Sequence, residues 1–389
     1  MTALLDWEFR VPRSIAFGPE THKLAGEKVK EAGGRHALVV SGPNAARSGI
    51  VAKVTDSLQA AGVAFTLFPE VDTEPTVAQV DAGLARLKEA GCDAVVAVGG
   101  GSPIDAAKAI ALLATNGGDI TEYMGANKVK RPILPLIAIP TTAGTGSEVT
   151  RHTVVTDSAK NVKMLISSPY LVPAAAIDDP TLTYSMPPQV TASTGLDALT
   201  HAIEAHVSKK ATPLTDILAL AAVRRIFTWL RVAWADGGNA EARREMLLGQ
   251  LEAGMAFSNS SVALVHGMSR PIGAYFHVPH GIANAMLLPV VMEFSLLGAP
   301  RRFAALAEAM GLPVEGCAVM EAGRKAVKAV RDLCADLRIP SLTGYGLDPA
   351  EVMEAAPRMA RDALASGSPA NNPRQAAAEE IVELYRRAL

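Results

Sequence analysis

The sequence predicts a two-domain fold: an α/β half on a parallel sheet, residues 1–185, then an all-helical half, residues 186–389. Three observations predict it. Apolar runs of strand length alternate with helical patterns through the first half, the rhythm of βαβ units. Continuous apolar strand runs stop after MPPQV (186–190). The length of 389 residues suits two domains of ordinary size.

Each element follows from its residues. HALVV (36–40), AFTLF (64–68), AVVAVGGG (94–101) and LPLIAIP (134–140) are predicted strands. Segments 45–61 and 76–90 are predicted helices; in the second, Val77, Val80, Leu84 and Leu87 recur at spacings of three and four. TVVTD (153–157), KMLIS (163–167) and AAAID (174–178) form a further strand-rich patch. In the second half, Ala, Leu, Glu and Arg dominate 191–207, 213–235, 240–258 and 301–311, good helix formers in amphipathic order. Pro and Gly, 25 and 32 residues, punctuate the whole chain.

Composition excludes several classes. Lys and Arg number 37 against 39 Asp and Glu, a net charge of −2, so no basic footprint for nucleic acid exists. Aromatics make up 5%, too few for base-stacking platforms. Cys92, Cys317 and Cys334 are too few and scattered for a disulfide framework, and no CxxC pair occurs. The N-terminus lacks a basic region followed by an apolar run, and no charge-free apolar stretch of about 18 residues occurs, so neither signal peptide nor membrane span is expected. The expectation is a cytoplasmic enzyme with a small-molecule substrate and no nucleic-acid or membrane partner.

AVVAVGGGSPIDAAKAI (94–110) carries the first functional signal. An apolar strand runs into Gly99, Gly100 and Gly101, and a helix is predicted from about Ser102, the N-cap, with Pro103 at its first position. Glycines let the backbone approach a ligand, and a helix N-terminus offers free N–H groups to a phosphate. A ligand-free turn is the bland alternative, but three consecutive glycines exceed what a turn needs. The stretch is neither GxGxxG nor GxxxxGK[ST]. Asp105 and Lys108 share one helical face, where a surface salt bridge is expected. The loop PTTAGTGSEVT (140–150) adds the hydroxyls of Thr141, Thr142, Thr145 and Ser147. Ligands bind at such strand ends in open α/β sheets, so the two loops together indicate a nucleotide crevice.

The second signal is a His/Asp set. Asp197 and His201 in TGLDALTHAIEAH are i and i+4, on one helical face, whereas His206 points elsewhere. His266 and His280 would stand ~21 Å apart on one straight helix, beyond the reach of a single ion. Pro271, Gly273 and Pro279 are expected to break that helix and let His280 fold back. One carboxylate and three imidazoles suit Fe²⁺ or Zn²⁺. Unrelated core or surface histidines are the alternative, and His277 is a competing ligand or proton carrier.

GGGSPIDAAK, PTTAGTGSE, GLDALTHAIEAH, VHGM and PHGIANAMLLP occur in this order, and NNPR (371–374) closes the series. This series resembles the iron-containing (group III, metal-dependent) alcohol dehydrogenases, a family that includes lactaldehyde reductases and 1,3-propanediol dehydrogenases. The resemblance implies an N-terminal α/β dinucleotide-binding domain and an all-α metal-binding domain, the two-domain architecture shared with dehydroquinate synthases. It implies Asp197, His201, His266 and His280 as metal ligands, with Fe²⁺ expected first and Zn²⁺ second. It implies Gly99, Gly100, Gly101 and Ser102 on the cofactor pyrophosphate, and Thr141, Thr142 and Thr145 along the cofactor; Asp105 and Ser147 are grouped with them. Phe257 and Ser368 fall at substrate-lining positions, and a homodimer is expected.

The chain departs from that pattern in three places. Many members carry an acidic residue just after the second strand, against the adenosine ribose. Gly42 stands there instead, so NADP is expected to be accepted, alone or beside NAD. Members such as lactaldehyde reductase have a histidine four residues after the third ligand, where this chain has Arg270. Arginine does not titrate near neutral pH, so either another group relays the proton, with His277 the candidate, or the proton passes through water and the cofactor ribose. Arg270 matches an anionic substrate group, a carboxylate, phosphonate or sulfonate, or else pairs with a nearby acid. His152 occupies the pocket-lining stretch. The expected function is therefore an NAD(P)-linked alcohol dehydrogenase or aldehyde reductase on a short or polar substrate. The alternatives are a reductase of an anionic aldehyde, or a dehydroquinate synthase-like lyase. Only Lys209 and Lys210 fall within 197–280, too few for the phosphate pocket such a lyase needs.

Overall fold

The computed structural model describes residues 7–72, 74–160 and 162–389. Two compact units divide the chain, Arg10–Ser185 and Met186–Leu389, and residues 7–9 join the second.

The first unit runs β1 (Ser14–Phe17), α1 (Ala25–Glu31), β2 (His36–Ser41), α2 (Pro43–Arg47), α3 (Ile50–Ala60), β3 (Ala64–Phe68), α4 (Val77–Ala90), β4 (Ala94–Gly99), α5 (Gly101–Asn116), β5 (Gly125–Ala126), β6 (Leu136–Pro140), β7 (His152–Asp157), β8 (Val162–Ser167) and β9 (Ala175–Asp178). Six strands pair in the order β1-β9-β6-β4-β2-β3, every pair parallel. The chain winds outward from β2 to β3, then returns to the other side of β2 for β4, so β2 and β4 flank the switch point where such sheets open a crevice.

Both faces of this sheet are covered, which is why its strands are apolar throughout rather than alternating. Leu38, Val40, Val95 and Ala97 pack with Val80 and Leu87 of α4 and Ile104 and Ile110 of α5. Ala37, Val39, Val96 and Val98 point the other way, against Val29 of α1 and Val54 and Leu58 of α3. A two-residue side-chain period puts neighbouring residues on opposite faces.

Several expectations need correction here. The helix expected over 45–61 is two helices, parted at Gly49, whose φ of 80° no other residue adopts cheaply. The further strand-rich patch is three strands as expected, but they divide: 174–178 joins the main sheet as β9, and the 153–157 and 163–167 runs do not. They pair antiparallel as β7 and β8, with β5 alongside, in a sheet of their own. Helix α5 starts at Gly101 with Gly100 as N-cap and no capping side chain, so Ser102 is not the cap. Strand β1, at the sheet edge, went unforeseen because SIAF is only half-buried and carries a weak apolar signal.

The second unit is helical among the described residues. It comprises α6 (Pro188–Val207), α7 (Pro213–Ala235), α8 (Ala240–Asn259), α9 (Leu264–Phe276), α10 (His280–Leu296), α11 (Pro300–Ala309), α12 (Val319–Asp336), α13 (Pro349–Ala365) and α14 (Ala378–Arg387). Helix α6 is buried almost all round, and α7, α8, α9 and α10 pack against it. Pro271 lies inside α9 and does not end it. The break comes at His277, which takes the left-handed conformation with φ 55°, and it reverses the chain into α10. Among the described residues, no helix is long and apolar enough to cross a membrane.

Candidate active site

Two sets of functional side chains can be built, one in each unit. In the first, adjacent strands β2, β4 and β6 end side by side, with Ser41 opposite Val98 and Gly99 opposite Pro140. Their C-terminal ends therefore present Gly42, Gly99–Ser102 and Thr141–Thr145 along one edge. The Thr141 N–H donates to the Gly99 carbonyl at 2.9 Å. A Cβ on Gly100 would stand 3.3 Å from Thr142 Oγ1, and one on Gly101 2.9 Å from Thr145 Cγ2. Glycine is what lets the two loops lie this close. The first N–H groups of α5, a helix of 16 residues, have no capping side chain and so remain available to an anion.

Asp105 and Ser147, expected with the cofactor, direct their polar atoms into the protein. Ser147 Oγ donates to Asp105 Oδ1 at 2.6 Å, and Asp105 Oδ2 accepts the Val154 N–H at 2.9 Å. The surface salt bridge expected between Asp105 and Lys108 is not what forms. Lys108 is fully buried, and its ammonium donates to the carbonyls of Ser147 (2.7 Å), Thr150 (2.9 Å) and His152 (2.7 Å). Burial pushes the Lys108 pKa down to about 8, against the pull of Asp105 and Glu148. His152 thus sits at the start of β7 with its backbone anchored on Lys108.

The second set gathers on α6, α9 and α10. Asp197 and His201 share one face of α6, and His266 enters from the first turn of α9. One ligand atom from each of these three lies within 4.8 Å of the others, all buried. His280, at the first position of α10, brings Nε2 to 3.7 Å from Asp197 Oδ1, and His266 Nε2 stands 3.8 Å from the same oxygen. The four residues expected to form the metal set therefore converge. Burial lowers the His266 pKa well below the usual value, with His201 and Arg270 adding to it. Desolvation brings His280 down to about 3 although Asp197 opposes it, with Arg270 adding to the shift. Both imidazoles are neutral, the form that binds a metal ion.

Surrounding contacts hold this set. His201 stacks on Phe257, with ring centroids 4.1 Å apart, and on His266 at 4.5 Å. Glu204, buried one turn along α6 from His201, lies 2.7 Å from His266 Nδ1 and accepts the N–H groups of Ala263 at 2.8 Å and Val265 at 2.5 Å. Desolvation raises its pKa to about 7 despite these donors. Asn284 places its amide nitrogen 2.7 Å from Asp197 Oδ1, 3.2 Å from His266 Nε2 and 3.1 Å from His280 Nε2. Asn284 Oδ1 and His201 Nδ1 are buried without a hydrogen-bond partner.

Arg270 lies one turn beyond His266 on α9, half-buried, and donates to Ser368 Oγ at 2.8 Å. No carboxylate among the described residues stands within ion-pair distance of it. Ser368 belongs to a short 3₁₀ turn, Ser368–Asn371, which presses so close that a Cβ on Gly267 would meet Pro369 Cγ at 2.6 Å. His277 is exposed. His206, as its offset implied, turns away to Asp216 at 2.9 Å. Glu204 and Asn284 escaped the sequence reading. The signal was present, since Glu204 is seven residues from Asp197 and Asn284 four from His280, both on the ligand faces.

The comparisons with known proteins follow the same lines. The family described as "Iron-containing alcohol dehydrogenase" matches residues 12–180, and "Fe-containing alcohol dehydrogenase family, C-terminal" matches 191–389. The chain is 41% identical to 1,3-propanediol dehydrogenase of Citrobacter freundii over 385 residues, 98% of each chain. It is 41% identical to lactaldehyde reductase of Escherichia coli K12, over 93% of this chain and 94% of that one. A crystal structure of 1,3-propanediol oxidoreductase matches with TM-score 0.96 at 40% identity, over 99% of this chain and 100% of that one. Sulfoacetaldehyde reductase from Bifidobacterium kashiwanohense, solved with NAD⁺, matches with TM-score 0.89 at 30% identity, over 99% of each chain. The chain belongs to the iron-containing alcohol dehydrogenase family and is an oxidoreductase of alcohols or aldehydes.

Proposed function

We propose that the chain is a metal-dependent, NAD(P)-linked alcohol dehydrogenase or aldehyde reductase for a short or polar substrate, and that it works as a cytoplasmic homodimer. The observation that carries this reading is the convergence of Asp197, His201 and His266 within 4.8 Å, with His280 beside them. The donor set fits a divalent transition ion: one carboxylate, neutral imidazoles, and a buried His201 nitrogen without a partner. Fe²⁺ is the first expectation and Zn²⁺ the second. The bound ion supplies Lewis-acid polarisation of the substrate oxygen. The bound nicotinamide supplies or accepts the hydride.

The chain's own residues bind and orient. Gly99, Gly100, Gly101 and Ser102 offer the open N-terminus of α5 to the pyrophosphate, and Thr141, Thr142 and Thr145 line the cofactor from the next strand end. Phe257 keeps the His201 ring in place by stacking. His277 is the titratable group left for proton relay, because Arg270 holds its proton at every working pH. NADP is accepted, alone or with NAD: Gly42 puts no carboxylate against a 2′-phosphate, and a side chain there would collide with the Val71 carbonyl, 2.7 Å from its Cβ.

A second reading narrows the substrate to an aldehyde bearing a carboxylate, phosphonate or sulfonate. It is favoured by Arg270, whose fork is half-buried one turn from His266 and forms no direct ion pair among the described residues, with Glu204 acting on it only through space. The likeness to a sulfoacetaldehyde reductase supports it. The deciding experiment is a screen of neutral and anionic alcohols and aldehydes with NAD(H) and NADP(H), followed at 340 nm, on chain stripped of metal and reloaded with Fe²⁺ or Zn²⁺. Equal turnover by stripped and reloaded chain would sink the metal reading.

A further inference from the structure

We propose that Glu204 is a positioning residue that sets the tautomer and aim of His266 in the ion site; this rests on the metal reading above. Three observations lead to it. Glu204 lies on the same face of α6 as Asp197 and His201, yet its carboxylate turns to α9 rather than into the donor set. It accepts two N–H groups at the very start of α9, from Ala263 and Val265, where a carboxylate complements the positive end of the helix. Its Oε2 also lies 2.7 Å from His266 Nδ1. One buried carboxylate thus ties the helix that carries two ligands to the first turn of the helix that carries the third.

A second contact agrees with this arrangement. Asn284 Nδ2 can only donate, and its two hydrogens face three acceptors, Asp197 Oδ1 at 2.7 Å, His280 Nε2 at 3.1 Å and His266 Nε2 at 3.2 Å. A lone pair on His266 Nε2, with the hydrogen on Nδ1 facing Glu204, suits both neighbours of that ring. Nε2 is then free for the ion, on the side of Asp197. Carboxylate–imidazole–metal chains of this kind fix ring orientation and raise ligand basicity. A void of about 10 Å³ beside Glu204, lined mostly by Val207, Val265, Val291, Met292 and Phe303, is at the lower limit for one water.

The test uses full-length chain stripped of metal. Glu204→Gln keeps the shape and loses the charge. Titration with Co²⁺ against a competing chelator should show affinity reduced about ten- to a hundred-fold, the range for such outer partners. The visible d–d bands of the bound Co²⁺ should shift, a change that a purely structural role would not produce. Unchanged affinity and spectrum in a folded Glu204→Gln would overturn the proposal. Should that variant fail to fold, histidine ¹⁵N spectra of the Zn²⁺-loaded unaltered chain decide. The expected result is a hydrogen on His266 Nδ1 and ligation through Nε2; ligation through Nδ1 would overturn it. Wild-type chain that takes up neither Co²⁺ nor Zn²⁺ overturns the metal reading itself, and this inference with it.

Discussion

The Arg270 guanidinium donates to Ser368 Oγ at 2.8 Å and meets no carboxylate among the described residues. Ser368 takes one of its hydrogens and the Glu204 carboxylate acts on it only through space, so an anionic group that completed the fork would offset the cost of burying the charge. We expect Arg270→Ala to raise KM for aldehydes bearing a carboxylate, phosphonate or sulfonate by about 10- to 150-fold. That corresponds to the ~1.5–3 kcal/mol of one charge-assisted contact. Neutral aldehydes of the same length should change by no more than a few fold. Equal losses on both series, measured as kcat/KM, would assign Arg270 to the fold instead of the substrate.

Lys108 makes the first unit's stability depend on pH in an unusual direction. Its pKa falls from 10.5 to about 8 on folding, so between those values the unfolded chain holds a proton that the folded chain has released. Stability therefore rises with pH from about 8 to 10.5, and the penalty for the buried charge is fully present below 8. Lys108→Met should abolish that slope. It should also destabilise near neutral pH, because the carbonyls of Ser147, Thr150 and His152 lose their donor at a cost of about 1–3 kcal/mol each. Denaturant melts of both chains at pH 7 and pH 10 measure the two effects. A parallel pH response would show that another group carries it.

Glu204 gives the second unit the opposite response. Its pKa rises from 4.5 to about 7 on folding, so its contribution to stability is fully present below 4.5 and is lost as pH climbs through 7. Metal-free chain should weaken across that window, and Glu204→Gln should weaken less. Metal uptake favours the carboxylate that receives the His266 Nδ1–H, so binding below pH 7 should release one extra proton and weaken as pH falls. Calorimetric titration with Zn²⁺ in buffers of different ionisation heat counts that proton. No difference between the two chains would remove Glu204 from the uptake step.

Legibility in the sequence followed the range of the interaction. The parallel strands were readable because continuous apolar runs are what a sheet covered on both faces demands. Asp197 and His201 were readable together, since one helical turn links them. The approach of His280 was expected, and its cause was placed in part: α9 passes through Pro271 and Gly273, but Pro279 does lie in the break as the N-cap of α10, after His277 in a left-handed conformation. Whether β7 and β8 extend the main sheet or build their own is decided by tertiary pairing, which no local pattern records. Lys108 looked like a surface charge because its partners are carbonyls some forty residues away, and carbonyls leave no mark on composition. Glu204 went unnoticed for a similar reason, since two of its three donors are backbone N–H groups of α9.

Gly42 follows β2, next to the strand whose loop begins the glycine series, and the proposed acceptance of NADP rests on it by charge and by space together. An aspartate there would set a negative charge where a 2′-phosphate binds, so Gly42→Asp should reduce kcat/KM for NADPH at least about tenfold relative to NADH, or ~1.4 kcal/mol. The same aspartate must fit its Cβ 2.7 Å from the Val71 carbonyl oxygen, in a segment held to Ser41 by a 3.1 Å backbone hydrogen bond. It should therefore also lower Tm. Gly42→Ala separates the two causes: it brings the Cβ without the charge, so Tm should fall and the NADPH-to-NADH ratio should stay. The unaltered chain should prefer NADH by less than about a hundredfold, ~2.7 kcal/mol. A stronger preference would mean that something other than a carboxylate at position 42 excludes the 2′-phosphate, and Arg47, exposed on α2 with its guanidinium on Asn44 Oδ1 at 2.6 Å, would then have no part in receiving it.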